Sequence, residues 1–139
     1  MSGARDMKAI ARDDNFCADL GIELVEAMAG RAVARVTVER RHLNFGGVCH
    51  GGLTFTLADA AFGFACNSHG VAAAGIDVHM IYNRAVQPGE VLTATATELS
   101  RSSRISTYRV DVARSDGTLV AAMTGTASIS DKPLGRPTP

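Results

Sequence analysis

Residues Asn44–Gly70 read NFGGVCHGGLTFTLADAAFGFACNSHG. The stretch opens as a glycine-rich loop, turns at His50-Gly51-Gly52, and continues from Leu53 to Cys66 with almost every position apolar or small. A helix that is apolar on all sides is a buried one. One acid, Asp59, stands in its middle. A carboxylate there must be paired, hydrogen-bonded, protonated or turned toward a site, because burying it bare is far too unfavourable for a domain to carry.

Upstream of this helix the period changes to two. Ile22, Leu24, Ala32, Ala34, Val36 and Val38 share one face, and Arg31, Arg35, Thr37 and Glu39 the other, with Ala29-Gly30 as the turn; this is the pattern of a half-buried hairpin. Before it, residues 4–20 read as two short helices, the second capped by Asp14 or Asn15 and ended by Gly21, since Asp and Asn favour N-caps and glycine the position past a helix end. They suit a lid or an edge covering.

Downstream, Gly70 ends the helix, and Ile76, Val78, Met80 and Tyr82 alternate with Asp77, His79, Ile81 and Asn83. Gln87-Pro88-Gly89 is turn chemistry. Three further alternating runs, 90–99, 105–114 and 119–129, are separated by Arg101-Ser102-Ser103 and Ser115-Asp116-Gly117, both short enough for hairpins. The four strands after the helix are expected to form a meander. Residues 131–139, with three prolines, read as a disordered tail. The expectation is one α+β domain over 1–139, with residues 1–21 as its helical start and five to six antiparallel strands curled around one long central helix. A flat sheet would leave half of such a helix wet.

Composition narrows the function. Fourteen basic residues balance fourteen acidic ones, so no long-range field recruits nucleic acid or an anionic membrane. No apolar run approaches the ~20 residues needed to span a bilayer. A soluble cytoplasmic protein is expected. Cys17, Cys49 and Cys66 are odd in number and widely spaced, and His42, His50, His69 and His79 include no i, i+4 pair. These spacings argue against disulfides and against a metal site. Cys49 beside His50 is a poor thiol nucleophile, because adjacent residues at a helix start do not point together.

The glycines of the loop fit neither a P-loop nor a dinucleotide fingerprint. They leave a helix start whose free N–H groups can be approached by an oxygen carrying negative charge, the raw material of an oxyanion hole, or else a tight turn that merely needs glycine. Asp59 lies eight residues beyond Gly51, about 12 Å along a helix axis. That is too far for both to act on one carbonyl carbon. Asp59 is therefore structural, held for instance by Thr56 one turn back, or the site is completed by a second chain in a two-fold dimer with antiparallel central helices.

The segments Cys49-His50-Gly51-Gly52, Leu57-Ala58-Asp59 and Ala65-Cys66-Asn67-Ser68 resemble those of the hotdog-fold acyl-CoA thioesterases, and within them the PaaI-type enzymes of phenylacetate degradation. The likeness extends to the order of elements from Ile22 to Ile129. It implies a sheet wrapped around a central helix, a homodimer with a continuous sheet, and a tetramer built from two dimers. It also implies hydrolysis of an acyl-CoA thioester, with phenylacetyl-CoA or hydroxyphenylacetyl-CoA as the substrate, and no metal or redox cofactor. Carried onto this chain, Asp59 is the catalytic carboxylate, as general base or nucleophile. The Gly51 N–H binds the thioester oxygen, and Asn44 and His50 support the site. Some relatives place a hydroxyl early in the strand after the helix to position the water, whereas Ala74-Gly75-Ile76 offers none, which favours a nucleophilic or self-sufficient Asp59. Arg101 and Arg104 flank a hairpin turn, as solvated cations or as a clamp on the CoA phosphates. Two other readings stand beside this one: an acyl-CoA-binding module without catalysis, and a dehydratase or hydratase using His50 with the acid.

Overall fold

A computed structural model describes residues 6–135. Two short helices, α1 (Met7–Ala11) and α2 (Asn15–Leu20), precede a hairpin of β1 (Glu23–Met28) and β2 (Arg31–Thr37). A 3-10 turn (Arg40–His42) leads to the central helix α3 (Gly51–Asn67), and β3 (Val71–Tyr82), β4 (Val91–Arg101), β5 (Ile105–Arg114) and β6 (Leu119–Pro133) follow. Asp14 is the cap of α2, its Oδ1 accepting the Cys17 N–H at 3.0 Å, and Gly21 closes that helix in the left-handed conformation with φ 78°. Gly30 turns the β1–β2 hairpin with φ 78°. These positions follow the local chemistry of caps and glycine turns.

All six strands form one antiparallel sheet in the order β1-β2-β4-β5-β6-β3. The expected four-strand meander is corrected at its first step: β3 pairs with β6, and β4 pairs with β2. The connection from residue 83 to 90 is a crossover. Asn83 and Arg84 give their N–H groups to the Val120 carbonyl, Val86 accepts from Cys49, and Gly89 donates to Val38. The Gln87–Gly89 turn is present, with Gly89 at φ 90°, but it delivers the chain to the flank of β2. Alternation along a strand specifies its faces and not its neighbours, so pairing order was beyond its reach.

β6 continues to Pro133, opposite Val71, and Leu134 donates to the Gly70 carbonyl at 2.9 Å. The expected tail therefore begins as paired strand, and residues 136–139 lie outside the described residues, as do residues 1–5 of the helical start.

The core lies between α3 and the concave face of the sheet. Ala32, Ala34, Ala94 and Ala96 are fully buried, and these small side chains on β2 and β4 let the helix approach closely. Leu57, Leu92, Val110, Val112 and Met123 fill the rest. The Phe62 ring meets Tyr108 edge-on at 5.6 Å between centroids, a favoured arrangement for aromatic pairs.

The two outer strands differ. β1 is short and charged, with Glu23 and Glu26 paired to Arg35 and Arg31, a device that blunts an edge. β3 is twelve residues long, has a neighbour on one side only, and exposes Ile76, Ile81 and Tyr82.

Candidate active site

The helix start is built by its own loop. Asn44 Oδ1 accepts the N–H groups of Gly46 at 2.8 Å and Val48 at 3.3 Å, and the Asn44 N–H donates to Val48. This Asx geometry, with Gly47 at φ 78°, makes a rigid loop. His50 N–H donates to the His42 carbonyl, and His42, buried, bridges the Glu39 N–H and the Leu20 carbonyl. His50 is the N-cap of α3: its Nδ1 accepts the Gly52 N–H at 2.8 Å, and its carbonyl accepts from Leu53 at 3.0 Å. The Gly51 N–H finds no hydrogen-bond partner among the described residues, as the first donors of a helix require an outside acceptor. Asn44, His50 and Gly51 thus form one local unit.

Tyr82, which the sequence pattern did not single out as functional, closes this unit from the end of β3. Its hydroxyl donates to the Gly51 carbonyl at 3.3 Å, and a Cβ placed on Gly51 would lie 3.3 Å from its ring. A cavity of about 320 Å³ beside it is lined by Cys49, Gly51, Thr54, Tyr82, Arg84 and Val86. A second of about 360 Å³, on the other side of the helix start, is lined by Phe16, Leu43, His50, Gly52 and Thr56.

Asp59 is exposed, which corrects the expectation of a helix enclosed on all sides. One stripe of α3 is open: Gly52 and Asp59 are exposed, Phe55, Thr56 and Gly63 half-buried, and a Cβ on Gly63 would meet nothing within 4 Å. The sheet covers one side of a helix, and this stripe faces the other. Thr56 does not hold Asp59, since its hydroxyl donates to the Gly52 carbonyl at 2.8 Å. Desolvation against the apolar helix, and then the nearby Asp14 carboxylate, hold the Asp59 pKa above the usual value. A carboxylate so raised is a stronger base when ionised. Helix α3 runs without a break from Gly51 to Asn67, so the ~12 Å axial separation of Gly51 and Asp59 within one chain is real.

The thiols are unsuited to nucleophilic work. All three cysteines are free and buried. Burial, followed by the Asp14 carboxylate, pushes Cys17 to about 12, burial pushes Cys66 to about 11, and burial raises Cys49. No cluster of three or more His, Cys, Asp or Glu able to hold a metal occurs among the described residues, and no helix among them is long and apolar enough to cross a membrane.

Arg101 and Arg104 lie at the far end of α3, away from Gly51. Arg104 is exposed at the hairpin, beside a cavity of about 460 Å³ lined by Ser103, Ser128, Ser130 and Asp131. Arg101 is half-buried, with Nη1 shielded from solvent and without a partner among the described residues, close to Cys66 and Glu98. Glu98 accepts from Tyr108 at 2.7 Å and pairs with His69 at 2.9 Å. Burial works against its charge, but these two bonds outweigh it and hold the carboxyl below its usual range.

The thioesterase superfamily pattern matches residues 46–121. Acyl-coenzyme A thioesterase PaaI of Escherichia coli is 34% identical over 117 residues, 84% of each chain. Its structure superimposes with a TM-score of 0.88 at 31% identity, covering 91% of this chain and 92% of that one. Acyl-coenzyme A thioesterase 13 of Homo sapiens is 32% identical over 119 residues, 83% of this chain and 85% of the relative. A protein of Streptococcus pneumoniae described as a hypothetical thioesterase and solved with coenzyme A has a TM-score of 0.77 at 25% identity, covering 81% of this chain and 91% of that one; it has also been solved with an aspartate replaced by alanine and with a threonine replaced by alanine. The chain belongs to the thioesterase superfamily, as a hotdog-fold thioester hydrolase of the PaaI type.

Proposed function

We propose that the protein hydrolyses the thioester of an acyl-CoA, with phenylacetyl-CoA or hydroxyphenylacetyl-CoA as the substrate, releasing the acid and CoA at a site shared between two copies of the chain. One observation carries this reading: Gly51 and Asp59 occupy the start and the middle of a single unbroken helix, and Asp59 lies on its open stripe. Two such helices packed antiparallel would set the free N–H of one chain against the carboxylate of the other.

The surface supports the dimer. β3 offers an unpaired edge with Ile76, Ile81 and Tyr82 exposed, and Phe45, on the rigid loop ahead of Gly51, is fully bare to solvent. An edge strand of this length and polarity is a template for pairing with another strand. A second copy aligned along β3 continues the sheet, and two dimers make the homotetramer of the working assembly. The cytoplasm is its setting.

In this reading the thioester oxygen sits on the Gly51 N–H, aided by the positive end of α3. Asp59 of the facing chain supplies the base or the nucleophile. His50 and Asn44 hold the helix start in place, and Arg104 meets the phosphates of CoA. The pneumococcal variants replace an aspartate and a threonine sixteen positions apart, and the same spacing from Asp59 reaches Gly75 in this chain, which has no hydroxyl.

The test is release of CoASH from a panel of aryl- and alkyl-CoA thioesters by the wild type and by Asp59→Asn. Turnover is expected with aryl thioesters and a loss of at least about 100-fold in the variant. Binding of the esters without turnover by the wild type would instead identify a binding module.

A further inference from the structure

A base that accepts one proton of a water molecule does not fix where the oxygen lone pair points. A second acceptor must hold the other O–H. The residues that share a helix face with Asp59 stand three and four positions away: Phe55, Thr56, Phe62 and Gly63. Phe55, Phe62 and Gly63 carry no side-chain acceptor.

Gly75 on β3, sixteen positions past Asp59, has no side chain to supply one, and the reason is steric. Phe62 is 1% exposed, and its ring occupies the space in front of two glycines. A Cβ built on Gly75 would lie 2.7 Å from the Phe62 Cε2, and one on Gly125 would lie 2.9 Å from its Cζ. Any side chain at Gly75, a serine or threonine included, requires the Phe62 ring to shift.

Thr56 is left. Its hydroxyl donates to the Gly52 carbonyl at 2.8 Å, a bond that uses the proton and locks the rotamer. The oxygen lone pairs remain as a fixed acceptor. Thr56 is half-buried on the open stripe, one turn from Asp59, and it lines the cavity of about 360 Å³ that also reaches His50 and Gly52. Side chains at this helical spacing have Cβ atoms roughly 5–6 Å apart, a gap that one water bridges.

We infer that Thr56 is the water-positioning residue of this thioesterase, taking the task that the Phe62 ring excludes from Gly75; the inference rests on the reading of Asp59 as the catalytic carboxylate. The water gives one O–H to Thr56 Oγ1 and the other to the Asp59 carboxylate. Its freed lone pair forms the bond to the thioester carbon as the proton passes to Asp59. The C–S bond then breaks, the electron pair leaves with sulfur, and Asp59 returns the proton to the thiolate. The products are the carboxylic acid and the free thiol. Asp59 acts here as general base, with no covalent intermediate.

Steady-state kinetics with one aryl-CoA thioester on Thr56→Ala, Thr56→Val and Thr56→Ser, with Asp59→Asn in parallel, test this. The alanine and valine variants are expected to lose about 10- to 100-fold in kcat with KM within about twofold, because the water and not the ester is misplaced. The serine variant is expected within about threefold of wild type. Valine keeps the shape of threonine and reads the hydroxyl alone should the alanine variant unfold. A valine variant with wild-type kcat beside an inactive Asp59→Asn overturns the role of Thr56 and leaves Asp59 standing. A serine variant as impaired as valine overturns it as well. An active Asp59→Asn overturns the reading on which both rest.

Discussion

The Tyr82 ring lies against Gly51, 3.3 Å from where a Cβ would stand, while its hydroxyl donates to the Gly51 carbonyl. The last residue of the edge strand thereby closes over the first residue of the central helix. Tyr82 is half exposed and can give by a few tenths of an ångström. Gly51→Ala is therefore expected to fold, with stability changed by less than about 1 kcal/mol, since alanine favours the helix that glycine weakens. It keeps the N–H but shifts the ring that lines the adjoining cavity. A rise in KM with kcat nearly unchanged, read by steady-state kinetics, is the expected result.

Gly51→Pro removes the N–H itself. Proline is well tolerated at the first helical position, and His50 already has the extended backbone, φ −63° and ψ 134°, that precedes a proline. Alone, this variant and Asp59→Asn are both expected to be inactive. Mixed and reassociated in equal amounts, they should recover about one quarter of wild-type activity, since half the dimers are mixed and each holds one intact composite site. A site confined to one chain predicts no recovery, and the experiment reads the difference in CoASH release.

The raised pKa of Asp59 links activity and stability to pH in opposite directions. The folded protein holds the proton more tightly than the unfolded chain, so stability contributed by this group is full below the unfolded pKa and is lost as pH rises through the folded one. Activity as a base rises over that same window. Asp59→Asn is expected to make Tm rise more steeply with pH in the acid range, since the depressed carboxyls of Glu98 and Asp116 then act without its opposing contribution, and to raise Tm at neutral pH relative to wild type. Thermal melts of both proteins between pH 4 and pH 8 check this.

Alkylation at neutral pH should leave activity intact. Cys17 at about 12 and Cys66 at about 11 remain thiols, and all three cysteines are buried. Iodoacetamide is expected to modify the native protein no faster than it unfolds, measured by intact mass beside the rate of CoASH release.

The two arginines should separate. Arg104→Ala is expected to raise KM for CoA esters about threefold to tenfold with kcat unchanged, as the loss of an exposed charge on a phosphate would. Arg101→Ala is expected to act on stability, lowering Tm, because Arg101 stands beside the Glu98 carboxylate. An equal rise in KM from Arg101→Ala would place both at the ligand.

Much of this molecule was legible before its structure. Asp14 and Gly21 bound α2, Gly30 turns the first hairpin, and Gly51 begins the long helix, because caps and left-handed glycines are decisions of a few neighbouring residues. Alternation likewise marked the buried faces of β2, β4 and β5. Pairing order, the rotation of α3 within the sheet, the Phe62 ring filling the space of two glycines, and the inward turn of Arg101 were decided only in three dimensions. Each depends on contacts between residues far apart in the chain, where period and propensity carry no information. For the same reason the sequence marked Asp59 as an anomaly, whereas only the packing of the sheet determined that it faces outward and that Thr56 lies on the same open stripe.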